Sequence, residues 1–426
     1  MIKSDIYGTY LDILKWELVP AMGCTEPISL AYGAAKCRKI LGHVPEKIQV
    51  RCSGNIIKNV RCVKIPHSEG MTGIAAAVVL GAIGGNCQRE LEVLCDVTHE
   101  DIIETHKFIS DNKCQVSLLD SSSPLHFIIT MEWEGNCAEL EICENHTNII
   151  RIELNKQTVF HKDFSAHIET PDYNALELEL IKEFADTVSI SDIKEIIDRQ
   201  ISYNVDIAKE GFDGKYGIGI GKIITQSYPD STITKMKAMA ASASEARMGG
   251  CEKPVIVNSG SGNQGITASV PVIIYAQEKN LSEETLYRGL VFSNLLAVYQ
   301  KTYIGTLSAF CGAVSAACAA GATITYMTDG SLERIRFTIE NTLANIPGII
   351  CDGAKISCAA KIATSIDAAY LAHEMAIVDA SYIPHTGILQ ETVSQTISCV
   401  GCIGKEGMKE TDREILKIMM NDSKLL

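Results

Sequence analysis

The sequence has no excess of basic residues. Lys and Arg number 38 against 52 Asp and Glu, a net charge of −14. Nucleic acid and anionic membrane surfaces both call for basic patches, so neither is an expected partner. No apolar stretch reaches the length of a membrane span. The opening MIKSDIYGTYLDILKWELVP carries acids and tyrosines in an amphipathic pattern. It lacks the apolar core and small-residue cleavage site of a secretory signal, so a cytoplasmic protein is expected. Internal repeats and low-complexity segments are lacking too.

What is present is 426 residues, 46% apolar and 21% charged, which fits a soluble globular protein. The length exceeds what one hydrophobic core usually covers, so two domains are expected. Sixteen cysteines are the conspicuous feature. A reducing cytosol keeps thiols free, which leaves metal binding, catalysis or burial. Cys37, Cys52, Cys62, Cys87, Cys95, Cys114, Cys137, Cys143 and Cys318 lie in apolar or alternating patterns and read as small core residues.

The pattern predicts an α+β protein. Asp5 to Leu18 and Ile28 to Leu41 read as helices, and KIQVRC and NVRCVKI as short half-buried strands. TGIAAAVVLGAIGG reads as a buried Ala-rich helix and HEDIIETHKFISD as a helix with acids in its first turn. Five strand-like runs follow between Cys114 and Asp163, as in an antiparallel sheet. Beyond Phe164 strand signals nearly vanish, and Ala-, Ser- and Ile-rich segments predict a buried helical bundle. The expected division is an N-terminal α/β domain over 1–165 and a mainly α-helical domain over 166–426.

Four stretches depart from what a plain core needs. PAMGCTEP turns into a helix, with Thr25 as N-cap and Pro27 near the first helical position. A thiol at a helix N-terminus has its pKa lowered, so Cys24 is a candidate thiolate; a capped turn with a buried thiol is the equal alternative. NSGSGNQG follows the apolar run PVIVN and precedes a helix. Such a loop offers N–H groups to a phosphate or carboxylate, and Ser259, Ser261, Asn263 and Gln264 add side-chain partners. AFCGAVSAACAAGA places Cys311 at a helix start, and ICDGAKISC sets Cys351 and Cys358 seven apart around an Asp-Gly turn. Thiolates hold iron–sulfur clusters at varied spacings. On spacing alone, though, burial remains the better account of these three.

Together these stretches resemble the L-cysteine desulfidase family, related to the iron–sulfur L-serine dehydratases. The likeness runs through GCTEP, GMTGIAAAVVLG, ENHTNIIRIE, NSGSGNQGI, FCGAVSAACAAGA, CDGAKISCAAKIA and EGMKETDREILKIM, nearly the whole chain in order. It implies β-elimination of L-cysteine to hydrogen sulfide, pyruvate and ammonia, with L-serine as the alternative substrate. It implies a [4Fe–4S] cluster held by Cys311, Cys351 and Cys358, one iron staying open. Cys399 and Cys402, in SCVGC, are a rival pair on which the resemblance does not rest. It further implies that residues 1–165 form a beta-chain-like substrate-binding domain that contributes GCTEP, and residues 166–426 an alpha-chain-like catalytic domain. His146 and Asn148 match a substrate-contacting His-x-Asn; a turn between strands would equally suit HTN. Thr25, Glu26, Ser259, Ser261, Gly262 and Asn263 complete the substrate-binding set. Cys24 is the candidate base and Lys355 its alternative. A buried helical domain of this kind also suggests a homodimer. Two rivals stand below this: a pyridoxal-phosphate lyase, against which Lys58 and Lys64 lie in strand-like runs and no Gly-rich phosphate cup follows the loop, and a non-catalytic amino-acid or iron–sulfur sensor.

Overall fold

The computed structural model describes residues 3–162, 170–305 and 309–420, so the boundary expected near residue 165 lies outside the described residues. The described strands are β1 (Pro20–Met22), β2 (Lys47–Cys52), β3 (Cys114–Leu118), β4 (His126–Trp133), β5 (Asn136–Cys143), β6 (Ile149–Leu154), β7 (Gln157–His161) and β8 (Pro254–Ile256). The helices of the first part are α1 (Ser4–Glu17), α2 (Thr25–Leu41), α3 (Gly54–Val60), α4 (Ile74–Gly84) and α5 (His99–Ser110). Then come α6 (Leu178–Thr187), α7 (Ile190–Asp213), α8 (Ile220–Ser227), α9 (Thr232–Met248), α10 (Gly262–Glu278) and α11 (Glu283–Ile304). The last are α12 (Gly312–Thr328), α13 (Leu332–Asn345), α14 (Cys358–Ile377), α15 (Val393–Cys402) and α16 (Lys409–Met420). The protein is α+β, as its pattern predicts.

Six strands form one sheet in the order β3-β2-β4-β5-β6-β7. Every pair is antiparallel except β2 with β3, which run parallel because α3, α4 and α5 intervene between them. Alternate residues Ile48, Val50 and Cys52 of β2 and Phe127, Ile129 and Met131 of β4 turn to one core, covered by α2 and α4. The Ala-rich α4 lies almost backbone to backbone on α2: a Cβ on Gly81 would come within 2.3 Å of Ala31 O. NVRCVKI is not a strand. The chain is helical through Val60, because Ile56, Ile57 and Val60 reach the core at helical spacing and packing overrides β-propensity.

The sheet's polar face carries a charge lattice. Arg151 Nε and His126 Nε2 both bond Glu141, at 2.8 Å each, while Arg151 reaches Glu139 and Glu153 at 2.6 Å. His126, then Arg151, overcome partial burial to pull the Glu141 carboxyl down to about 2. A depressed carboxylate stabilises the fold above its unfolded value, near 4.5, and loses that contribution as pH falls toward about 2. The group is partly solvated, so Glu141→Gln is expected to cost about 1–2 kcal/mol in urea unfolding at pH 7. The difference from wild type should shrink below the unfolded value and close only as pH falls to about 2.

The second part buries its helices around small residues. A Cβ on Gly211 of α7 would sit 2.0 Å from Ser242 O of α9, and one on Gly321 of α12 would sit 2.7 Å from Ala369 O of α14. The amino-terminal segment joins this helical core. Tyr10, Ile13, Leu14 and Leu18 pack with Ile181, Phe184, Leu290 and Phe292, and β1 pairs antiparallel with β8, Ala21 opposite Val255. In return α16 reaches back to α3, where Lys58 is ion-paired with Asp412 and Leu416 packs beside Gly54. No described helix is long and apolar enough to cross a membrane.

Candidate active site

Between the two cores lies a cavity of about 100 Å³. Its walls come from the GCTEP turn, His146, the NSGSGNQG loop and three cysteines.

The cysteines meet through a short backbone pairing. Cys311 N donates to Ile349 O at 2.9 Å and Cys351 N to Ala309 O at 2.7 Å, which sets Cys311 and Cys351 side by side. The chain then turns at Gly353, whose φ of +95° favours glycine and where a Cβ would lie 2.4 Å from Lys58 O. Cys358 follows as the first residue of α14, its Sγ 3.9 Å from Gly353 O. The Cys311 thiol, with help from Lys58 and Lys361 and against burial, draws Cys351 down to about 6. Its hydrogen bond to Cys351, and then burial, push Cys311 up, so the pair keeps one proton on Cys311. Burial also raises Cys358. Among the described residues no three His, Cys, Asp or Glu side chains gather closely enough for a single metal ion. Three thiols on three segments facing one cavity suit the thiolate corners of a larger cluster.

Opposite, Gly23 (φ +61°) turns the chain into α2. The N-cap is Cys24 rather than Thr25, and Pro27 stands at the third helical position. The expected thiolate at Cys24 does not occur. Burial, then the charge of Glu26, push its thiol well up, and it donates to Glu26 Oε2 at 3.0 Å. Thr25 Oγ1 also donates to Oε2, at 3.2 Å, and Asn59 Nδ2 to Oε1, at 3.1 Å. Burial works against ionisation of Glu26, but His146, the Cys24 thiol and Arg247 hold its carboxyl below the usual range. His146 is buried and lines the cavity, its Nε2 without a hydrogen-bond partner. Burial outweighs Glu26 and keeps the imidazole below its ordinary value. Asn148 does not line the cavity; it donates to Cys143 O at 2.9 Å and holds the turn.

The NSGSGNQG loop is rigid. Asn258 Nδ2 donates to Asn294 Oδ1 at 3.1 Å, and Ser261 caps α10 by accepting from Gln264 N. Ser259, Ser261 and Asn263 line the cavity, and Gly262 lies in the first turn of α10, against Arg247. Lys355 stands elsewhere, paired with Asp352, so it is not placed as a base. Cys399 and Cys402 do not line the cavity either, nor do Lys58 and Lys64.

Sequence reasoning passes over three residues that the fold brings in: Arg247, Lys301 and Asn59. Arg247 is 2% exposed, donates to Asn263 Oδ1 at 3.2 Å, and leaves its Nε unpartnered. Lys301, on α11, is buried without an ion-pair or hydrogen-bond partner among the described residues, and burial lowers its pKa. The signal for both is a cation inside a segment otherwise patterned for full burial.

A cavity at the junction of two cores, mostly apolar but lined by three thiols and several buried charged side chains, marks a small-molecule site. The family model described as serine dehydratase alpha chain matches residues 88–417, and the chain belongs to that family. A relative from Lachnoclostridium phytofermentans is 46% identical over 417 residues, 98% of this chain and 100% of its own length. One from Desulfitobacterium hafniense is 47% identical over 421 residues, 98% of each chain. One from Treponema denticola is 45% identical over 429 residues, 99% of this chain and 100% of its own. All three are described only as UPF0597 proteins.

Proposed function

We propose that this chain is an L-cysteine desulfidase that eliminates hydrogen sulfide from L-cysteine and leaves pyruvate and ammonia. The observation that carries the reading is the convergence of Cys311, Cys351 and Cys358 on one cavity, facing a wall of unpartnered polar atoms. Those thiols would hold the [4Fe–4S] cluster that the sequence resemblance implies. The cluster would supply a Lewis-acidic iron for the departing β-substituent. Residues 1–165 would serve as the substrate-binding domain by presenting Glu26 and His146, and residues 166–426 would carry the cluster.

The chain's own residues account for the proton. Lys301, buried and unpaired, is better placed as base than Cys24 or Lys355. Burial lowers the pKa of this lysine, which suits it to accept the α-proton. The Cα–H electron pair then becomes the Cα–Cβ double bond as the Cβ–S bond breaks. The leaving sulfide takes up the proton that Lys301 received. The resulting aminoacrylate tautomerises and is hydrolysed to pyruvate and ammonia.

L-serine is the alternative substrate, favoured by the family's name. Sulfur is the softer donor toward a thiolate-ligated metal, which favours L-cysteine. Anaerobically reconstituted protein is expected to release sulfide and pyruvate in equal amounts from L-cysteine, faster than pyruvate from L-serine. Background levels from both substrates would sink the reading and favour a sensor.

A further inference from the structure

We infer that the cavity recognises its ligand as a zwitterion, Arg247 taking the α-carboxylate and Glu26 the α-ammonium group of a free amino acid. The inference rests on the amino-acid reading above, but its grounds are the charges of the walls.

Arg247 is a buried guanidinium with no carboxylate partner among the described residues. Among the described residues its side chain donates to a neutral amide, Asn263 Oδ1, and its Nε is left without an acceptor. A buried cation in this state is costly unless an anion completes it. Gly262 lies directly against it, since a Cβ there would be 2.2 Å from Nε. The first turn of α10 therefore stands beside the guanidinium and adds N–H groups free of intrahelical partners. A carboxylate matches that combination of planar fork and helix N-terminus.

Glu26 is the opposite pole. Its two oxygens accept from Cys24, Thr25 and Asn59, all uncharged. No guanidinium or ammonium group among the described residues bonds it directly. Arg247 and Glu26 line the same cavity yet are not paired with each other. Two opposite charges that sense each other without forming an ion pair, on the walls of one small cavity, suit a ligand carrying both. His146 Nε2 and Gln264 Oε1, also unpartnered, are left for the remaining polar atoms. The ligand class is thus a free α-amino acid with a small β-substituent; keto acids, hydroxy acids, amides and N-acylated amino acids are disfavoured.

The test measures binding calorimetrically on the anaerobic holoprotein, with L-alanine as a probe that has no leaving group. Wild type should bind L-alanine roughly 30-fold or more tighter than either L-alaninamide or L-lactate, as expected when a buried charge loses its partner. Arg247→Met should weaken L-alanine to the level of L-alaninamide and leave L-alaninamide unchanged. Glu26→Gln should weaken L-alanine to the level of L-lactate and leave L-lactate unchanged. Equal affinity of wild type for the three probes, or no binding of L-alanine, overturns the inference, and neither outcome depends on a variant folding. The two readings separate cleanly. Selective L-alanine binding without sulfide release supports the clamp and defeats the elimination; sulfide release with an unaltered KM in Arg247→Met defeats the clamp alone.

Discussion

Cys351→Ala is expected to give folded protein without bound iron, without visible charge-transfer absorption, and with turnover at background. Cys351 is the hinge of the thiol set. Its N–H pairs with Ala309 O, so the strand-like contact that carries it also places Cys311. Two residues on, Gly353 packs against Lys58 O and swings the chain toward Cys358. Loss of one of three thiolate corners leaves the cluster with too few protein ligands to persist. Cys402→Ala should leave iron content unchanged, because Cys402 is exposed and outside the cavity. Iron and acid-labile sulfide counts on both variants decide the matter. Full iron content in Cys351→Ala would show that the ligand assignment is wrong.

Lys301→Met is expected to lower kcat by about 10²–10⁴, the usual worth of a positioned general base, with iron content and absorption intact. Neither base expected from the sequence fits the role. Cys24 is committed as a donor to Glu26, and Lys355 is paired with Asp352 outside the cavity. Lys355→Ala should therefore change kcat by no more than about twofold, as surface replacements generally do. Lys301→Arg keeps a cation but cannot deprotonate, and should not rescue the rate. Stopped-flow comparison of α-deuterated and ordinary L-cysteine adds a check. The isotope effect should grow in Lys301→Met if proton removal becomes limiting.

Much of this site was legible before folding, for identifiable reasons. Cys311, Cys358 and the NSGSGNQG loop all stand at helix starts, and glycine and small-residue punctuation marks helix starts locally. The strands β3 to β7 were legible because short runs rich in apolar and β-branched residues stand between turn residues. What stayed hidden depends on the tertiary environment. Cys24 looks like an activated thiol at a helix N-terminus. Only the folded protein shows an ionised Glu26 3.0 Å away, reversing the shift. His146 looks like an exposed turn residue until Gly260 is found against its ring, where a Cβ would lie 3.3 Å from Cε1. Arg247 and Lys301 sit in helices whose patterns speak only of burial. NVRCVKI was misread because a seven-residue run with three β-branched residues carries too little periodicity to separate a helix end and turn from a strand.

The pairing of β1 with β8 bears on how the protein is made. Residues 20–22 leave the ribosome early, but their partners, residues 254–256, follow only after the whole sheet has been synthesised. Pairings this distant in sequence close slowly and leave an unpaired edge exposed meanwhile. The nascent chain must therefore carry an unsatisfied amino-terminal strand past a completed sheet. Because the GCTEP turn follows directly from β1, the cavity cannot assemble before that strand docks. Any cofactor that the cavity takes would then load only after residue 256 has been made.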